Sequence, residues 1–515
     1  KISIKITYSD GSTTWQSPLE FNTSVSEWQY GAKIFNLSDG TSADKTPTGI
    51  GIYLMMYNQA NTLYFDNVQL IRADTEKISY DSDGNIIQDE GGSYTYDENG
   101  NMISMTGYDD TMTAIISREW EYNADGKVTK LTTYLDGKEF STGIDSYSDA
   151  SIWEIHVRDF SNKIESSQYK GKYLAFTEQG LVNEHGISVG VDYLLELGIT
   201  HVHLLPVYDF GSVDEANPGF NWGYDPKNYN VPEGSYSTDP FNGEVRIKEF
   251  KQMVQALHNV GIGVIMDVVY NHTYDANSSF NKIVPYYYYR YNPDGTNTNA
   301  SGCGNDTASE RYMFGKFMVD SVSYWASEYN LDGFRFDLMG LHDLATMDAV
   351  EDAVHKINPN AIIYGEGWTM GSTIGGVPQA NQGQIGKIEK VEDSAGSVAV
   401  FNDAIRDGLK GSVFEALGKG YINGAAASNV SKVQFGINGG VGTGASWKVP
   451  GAAVINYMSA HDNNTLWDKL AMANADATVE QRLAMNRLGA VILMISKGTP
   501  FWQAGEEMLR SKPDG

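Results

Sequence analysis

The chain has 515 residues, with 65 acidic side chains against 37 basic ones and a formal charge of -28. That length exceeds what one core organises, since domains rarely pass about 250 residues, and the acidity argues against nucleic acid or an anionic membrane as the main partner while leaving a neutral polymer indifferent. The single Cys303 excludes an intramolecular disulfide and sits in no metal-ligand spacing. No apolar run is long enough to span a bilayer, and no charged segment followed by an apolar one opens the chain. Lys1 to Tyr8 already alternates like a strand, so a processed or incomplete N-terminus is expected.

Residues 1–74 read as short alternating strands between turn clusters, for example over 50–56 and 62–70, which predicts a β-sandwich. The segment resembles carbohydrate-binding jelly rolls. Trp15, Trp28 and Tyr57 are aromatics of the kind that stacks on sugars, although in a small sandwich such rings also fill the core. Residues 75–140 carry a loose repeat, Tyr80-Asp-Ser-Asp-Gly-Asn85, Tyr96-Asp-Glu-Asn-Gly-Asn101, Tyr122-Asn-Ala-Asp-Gly126 and Tyr134-Leu-Asp-Gly137. Asp-Gly and Asn-Gly suit tight hairpin turns, and the pattern is similar to the tyrosine-aspartate repeats of bacterial surface proteins. Its carboxylates lack the distal ligand of a helix-loop-helix calcium site, so turn chemistry explains them.

From about residue 141 strands alternate with helical patterns. Strands are expected at 151–156, 200–206, 263–269, 331–337, 361–365, 398–401, 453–458 and 500–503, with helices including 187–197, 245–260 and 309–328. Eight β segments separated by helices predict a (β/α)8 barrel over 141–515, preceded by two all-β modules. Acidic and histidine residues follow these strands: Asp267 and His272 after the third, Arg335 and Asp337 at the fourth, Glu366 at the fifth, His461 and Asp462 at the seventh. Barrel enzymes present their chemistry from such positions.

The segments Asp267-Val-Val-Tyr-Asn-His272, Gly333-Phe-Arg-Phe-Asp337, Gly365-Glu-Gly-Trp368 and His461-Asp-Asn463 resemble the conserved regions of the α-amylase clan, glycoside hydrolase family 13. Phe220-Asn-Trp-Gly-Tyr-Asp-Pro226 is similar to the signature of the type I pullulanases, with Phe220 in place of a leading tyrosine. The likeness runs over about 145–515 and implies a retaining hydrolase of α-1,6-glucosidic linkages in pullulan, limit dextrins, starch and glycogen. It also implies a final barrel helix and a C-terminal β-domain beyond Gly515, and without that helix an apolar strand flank is expected to be exposed.

The chemistry of the residues agrees with those roles. A retaining pair needs a nucleophile and an acid/base about 5–5.5 Å apart. Asp337 is the short, stiff nucleophile, Arg335 two residues earlier shares its face of the strand and can hold it ionised, and Glu366 has the reach of a proton donor whose pKa must be raised. Asp462 completes the catalytic set as stabiliser of the transition state, with His272 and His461 as donors to the same sugar. Tyr224 and Asp225 form a platform, with Trp222 and Asn463 beside them. Trp368 lines the leaving-group side, and Asp267 either braces the site or touches substrate. His201, His203 and His258 are read as structural. Tyr286 to Tyr289 edges the cleft or packs beneath a loop, and Phe401 to Arg406 shapes the cleft.

Two carboxylates and water suffice, so no cofactor or metal is required, although the resemblance admits calcium. The partner is an α-glucan polysaccharide rather than nucleic acid or a membrane; the sequence sets no oligomeric state. Polymeric substrate and repeat-bearing flanks imply a bacterial extracellular or cell-surface location. An α-1,4-acting amylase-like glycosidase is the second reading, and a surface glycan-binding protein with an inactive barrel is the third.

Overall fold

The computed structural model describes residues 2–19, 47–54, 79–81, 85–88, 92–108, 114–122, 128–135, 138–140, 144 and 146–512, apart from 371–375, 393 and 441–452. The chain divides into two compact units, Lys1–Thr113 and Ala114–Gly515, a boundary inside the tyrosine-rich segment rather than at either of its ends. In the first unit Ile2–Tyr8 pairs antiparallel with both Thr13–Leu19 and Pro47–Leu54. Alternate residues Ile4, Ile6 and Tyr8 bury one face, the period-two pattern of a half-covered strand. Trp15 is exposed, with the Lys5 ammonium 5.6 Å from its ring centroid, so it is a surface residue and not core. Trp28, Tyr57 and the strand expected over 62–70 lie outside the described residues.

Gly92–Tyr96 and Met102–Tyr108 form a hairpin in the same unit. Its turn is held by Asp97, whose carboxylate accepts from the Asn99 and Asn101 backbone N–H groups at 2.9 and 2.8 Å and from the Asn101 amide at 2.9 Å. Asp81 accepts from Asn85 in the same way. Side-chain capping of a turn is what Asp supplies in such loops. The turn tips at 82–84, 123–127 and 136–137 lie outside the described residues.

The second unit opens with an antiparallel meander, Ala114–Tyr122, Val128–Leu135 and Lys138–Phe140. Eight parallel strands then close a barrel: Ile152–Ile155, His201–Leu204, Gly263–Val268, Gly333–Phe336, Ile362–Gly365, Val398–Phe401, Val454–Asn456 and Thr499–Gln503. All eight expected strands are present. Seven of them are buried throughout, because helices cover the outside while side chains fill the inside.

Three of the long helices are Gly243–Asn259, Tyr312–Glu328 and Leu344–Ile357. The first starts on Asn242, which accepts from Glu244 N–H, and the third on Asp343, which accepts from Thr346 N–H; such caps contribute about 0.5–2 kcal/mol each. Buried Trp325 ties the second to its neighbours, packing 4.5 Å from Tyr329 and 5.6 Å from Phe250 between ring centroids and donating its indole N–H to the Tyr229 carbonyl. Between the fifth and sixth strands the described residues contain only a short 3-10 turn, Ile385–Lys387. On the last strand Phe501 is buried and Pro500 and Trp502 are half-buried. Exposed apolar surface lies instead on the helix Val479–Met494 and just beyond it, at Val491, Met494 and Ile495. No helix among the described residues is long and apolar enough to cross a membrane.

Candidate active site

Parallel register places Asp267 of the third strand beside Arg335 of the fourth. The guanidinium of Arg335 then organises the whole mouth. Its Nη1 donates to both oxygens of Asp267 at 3.0 and 3.1 Å and to Asp337 Oδ1 at 2.8 Å, and its Nη2 lies 3.2 Å from Glu366 Oε2. Since one planar fork touches both Asp337 and Glu366, their contacting oxygens stand no more than roughly 8 Å apart. Asp337 also accepts from the Asn271 amide, at 2.8 Å on Oδ2 and 2.9 Å on its own carbonyl.

Glu366 is positioned by the backbone. Leu338, directly after Asp337, adopts the left-handed conformation with φ 43°, and its N–H donates to Glu366 Oε2 at 2.9 Å. A leucine in that region stores about 1–3 kcal/mol of strain, the kind of cost found where function fixes the backbone. Gly340 donates to the Glu366 carbonyl at 2.9 Å, and a Cβ at that position would meet the Trp368 carbonyl oxygen at 1.8 Å. Only glycine lets the two loops touch.

Burial lifts the Glu366 pKa to about 6, with Arg335 opposing and the charges of Asp337 and Asp462 adding to the rise. Asp337 is also raised by burial, against Arg335 and Asn271. Asp337 accepts more hydrogen bonds in its ionised form than Glu366 does, so the shared proton belongs on Glu366. Asp267, fully buried, is held below the usual carboxylate range because Arg335 and His203 outweigh its desolvation.

Tyr224 donates to Asp267 at 2.6 Å, and its ring stacks on His461 at 4.9 Å between centroids, with an interplanar angle of 20°. Trp222 meets His461 edge-on at 5.1 Å. Asp462 is the solvent-facing acid, its side chain 53% exposed and 3.8 Å from His461 Nε2. Asn463 is exposed with φ 59°, and its carbonyl accepts from Lys512 at 2.9 Å. Trp368 is partly buried, with the Arg406 guanidinium 5.8 Å from its ring centroid. Asp225 accepts from the Ser212 N–H at 2.6 Å and so braces its own loop.

His272, expected among the sugar donors, has its nitrogens 2.7 Å from Asn271 Oδ1 and 2.8 Å from the Tyr224 carbonyl. Burial depresses its pKa, against the Tyr224 carbonyl and the charges of Asp225 and Asp306, which favour the charged ring. These two contacts tie His272 to Asn271 and to Tyr224. Asp267 likewise is enclosed by Arg335, Tyr224 and His203 and braces the site.

Three functional neighbours escape the sequence reading. His203, taken as structural, lies 3.2 Å from Asp267. Glu154 of the first strand lies 2.7 Å from His461 Nδ1. Lys512 donates to the His461 and Asn463 carbonyls and sits 5.6 Å from the Trp222 ring centroid. A charged residue inside a four-residue apolar strand was the available signal for Glu154; nothing in its neighbourhood marks Lys512.

Among the described residues one cluster, Asp209, Glu215 and Glu233, has the spacing to hold a metal ion. Arg246 already lies 3.7 Å from Asp209 and 2.9 Å from Glu215, while Glu233 accepts from the Phe210 and Ser235 N–H groups at 3.1 and 2.7 Å. A guanidinium in that position supplies the countercharge, so the cluster does not fit calcium.

Fold and site together define a (β/α)8 barrel of the α-amylase class, with its acids at the carboxyl ends of the strands. The description "Alpha amylase, catalytic domain" matches residues 169–299. The pullulanase of Bacillus subtilis is 40% identical over 71% of this chain and 50% of its own length, and pullulanase 1 of Arabidopsis thaliana is 33% identical over 71% and 46%. The crystal structure of the Paenibacillus barengoltzii pullulanase in complex with maltohexaose and α-cyclodextrin is 34% identical, covers 86% of this chain and 76% of that one, and superimposes with a TM-score of 0.68. This chain belongs to the pullulanase family. It spans about half the length of the curated relatives it matches.

Proposed function

We propose that the protein is a retaining glycoside hydrolase that cleaves α-1,6-glucosidic linkages in branched α-glucans. The observation that carries this reading is the single guanidinium of Arg335 bridging Asp337 and Glu366, in a chain similar to pullulanases and, by the name of its structural relative, to a protein that takes maltohexaose. Asp337 attacks the anomeric carbon while Glu366 gives its proton to the departing O6. The resulting glycosyl ester on Asp337 is then cleaved by water, with Glu366 taking the proton back, so that two inversions give net retention. Asp462, exposed at the mouth, is assigned to the sugar hydroxyls, where its charge favours the oxocarbenium-like transition state. Tyr224 and Trp222 form the aromatic wall beside it, Trp368 flanks the leaving group, and Asn463 and Asp225 shape the rim.

Residues 141–515 are assigned to the catalytic module, with 1–74 and 75–140 as separate β modules. A polymeric substrate supports an extracellular or cell-surface location. The decisive assay is digestion of pullulan, whose maltotriose units are joined by α-1,6 bonds. Maltotriose as the product supports the proposal. Panose-type products, or cleavage of amylose with pullulan untouched, would replace it with the α-1,4-acting reading; binding without turnover would replace it with the glycan-binding one.

A further inference from the structure

His461 is held from behind by a buried carboxylate. Glu154 lies in the first strand with its side chain 2% exposed, in register with His203 of the second strand and Gln503 of the eighth. Its Oε1 is 2.7 Å from His461 Nδ1, and its Oε2 is buried with no hydrogen-bond partner among the described residues. A buried carboxylate with one free oxygen depends heavily on its one bonded partner for countercharge. The opposite ring nitrogen, Nε2, faces the cleft beside Asp462. Tyr224 Oη, 3.4 Å from Nδ1, gives its proton to Asp267 and offers His461 only a lone pair.

Glu154 and Tyr224 both present oxygen lone pairs to Nδ1, so Nδ1 carries a proton in either charge state of the ring. Nε2 then carries one only when the ring is an imidazolium. We propose that Glu154 is a positioning residue that keeps His461 doubly protonated, so that its Nε2–H is available to a hydroxyl of the sugar attacked by Asp337. The assignment rests on the hydrolase reading above. Burial works against charge on His461, yet Glu154, with help from Asp462, lifts its pKa to about 9. The other groups facing the pair are Arg335, the His203 ring, the Trp222 edge and the Lys512 ammonium; Arg335 opposes the imidazolium, while both Arg335 and His203 favour the ionised carboxylate.

The test is Glu154→Gln, which keeps shape and an acceptor oxygen but removes the charge. In the native protein the alkaline fall of kcat/KM on pullulan follows one proton, that of Glu366. In E154Q a second proton, from His461, leaves in the same range, and the variant-to-native ratio falls from about one-third at pH 5 to about one-hundredth at pH 8, the scale of losing one preorganised donor. Glu154→Asp restores part of the loss. In a His461→Gln background, E154Q costs less than about threefold, since its target is gone. A ratio constant across pH, or full additivity with His461→Gln, would show a merely structural role and overturn the inference.

Nitrogen-15 NMR of the His461 ring without substrate decides independently of turnover. The native ring should stay doubly protonated to about pH 9 and lose its proton below about pH 7 in E154Q, near the unperturbed histidine value. A native midpoint at or below about pH 7 sinks the proposal even if E154Q does not fold. Should native protein leave pullulan intact, the hydrolase reading fails while the ring titration still reports on Glu154.

Discussion

Replacing Arg335 by Met leaves Asp267, Asp337 and Glu366 buried around the space of a lost cation. The native guanidinium makes contacts of 2.8–3.2 Å to all three. Removing one partner of a buried pair costs about 3–5 kcal/mol, and the cost here depends on pH in a defined direction. In the native state Arg335 and His203 overcome burial and hold Asp267 below its ordinary pKa. That contribution is complete above the unfolded value near 3.9 and fades as pH falls through the folded one. Without Arg335 burial raises the folded pKa values, so the variant loses stability as pH rises. Urea unfolding followed by tryptophan fluorescence should give a destabilisation of about 3–5 kcal/mol at pH 7.5, shrinking by about 1.4 kcal/mol per pH unit for each carboxyl as pH drops into the raised range. The acid limb of kcat/KM should move up as well, because Asp337 must be ionised to attack. A destabilisation below about 1 kcal/mol, or one equal at pH 5 and 7.5, would refute the fork as the organiser of the site.

Glu366→Gln should reduce pullulan turnover by about 10²–10⁴ while sparing the first step on a maltosyl substrate whose leaving group needs no proton; equal losses on both would remove Glu366 from the acid role. In native protein, activity should fall as pH rises through about 6, the value at which Glu366 gives up its proton. Gly340→Ala drives a methyl into the Trp368 carbonyl and should cost about 1–3 kcal/mol of stability together with activity, as the Glu366 loop shifts; native-like unfolding would contradict the close approach. Trp222→Ala should raise KM on pullulan about five- to tenfold with kcat nearly unchanged, and an unchanged KM would take Trp222 off the substrate path.

The barrel was legible because its strands are covered on both faces and read as short apolar runs bounded by turns. Val398–Phe401 and Ile362–Gly365 stand out in that way even without alternation. Boundaries were less so: the helical pattern expected from Ile187 begins only at Val191, because Gly190 has φ 70° and ψ -143°, outside helical space. Asp337, Glu366 and Asp462 were readable as acids at strand ends. What surrounds them was not, since it depends on partners distant in sequence. His272 turns to a carbonyl 48 residues away, Glu154 to a ring 307 residues away, and Lys512 to carbonyls 49 and 51 residues away. His203 reads as a core histidine by every local criterion; its register opposite Ile265, which leaves Asp267 two residues on along the same face and 3.2 Å away, shows its partner only in the fold.

The most direct measurement is the trapping of the covalent intermediate with a fluorinated maltosyl fluoride, followed by peptide mass spectrometry. One added fluoromaltosyl unit is expected on the peptide containing Asp337, absent in Asp337→Asn and accumulating on addition of the reagent as turnover stops. A label on Glu366 or Asp462, or a protein that turns over pullulan with no labelled carboxylate, would contradict the assignment of Asp337 as nucleophile.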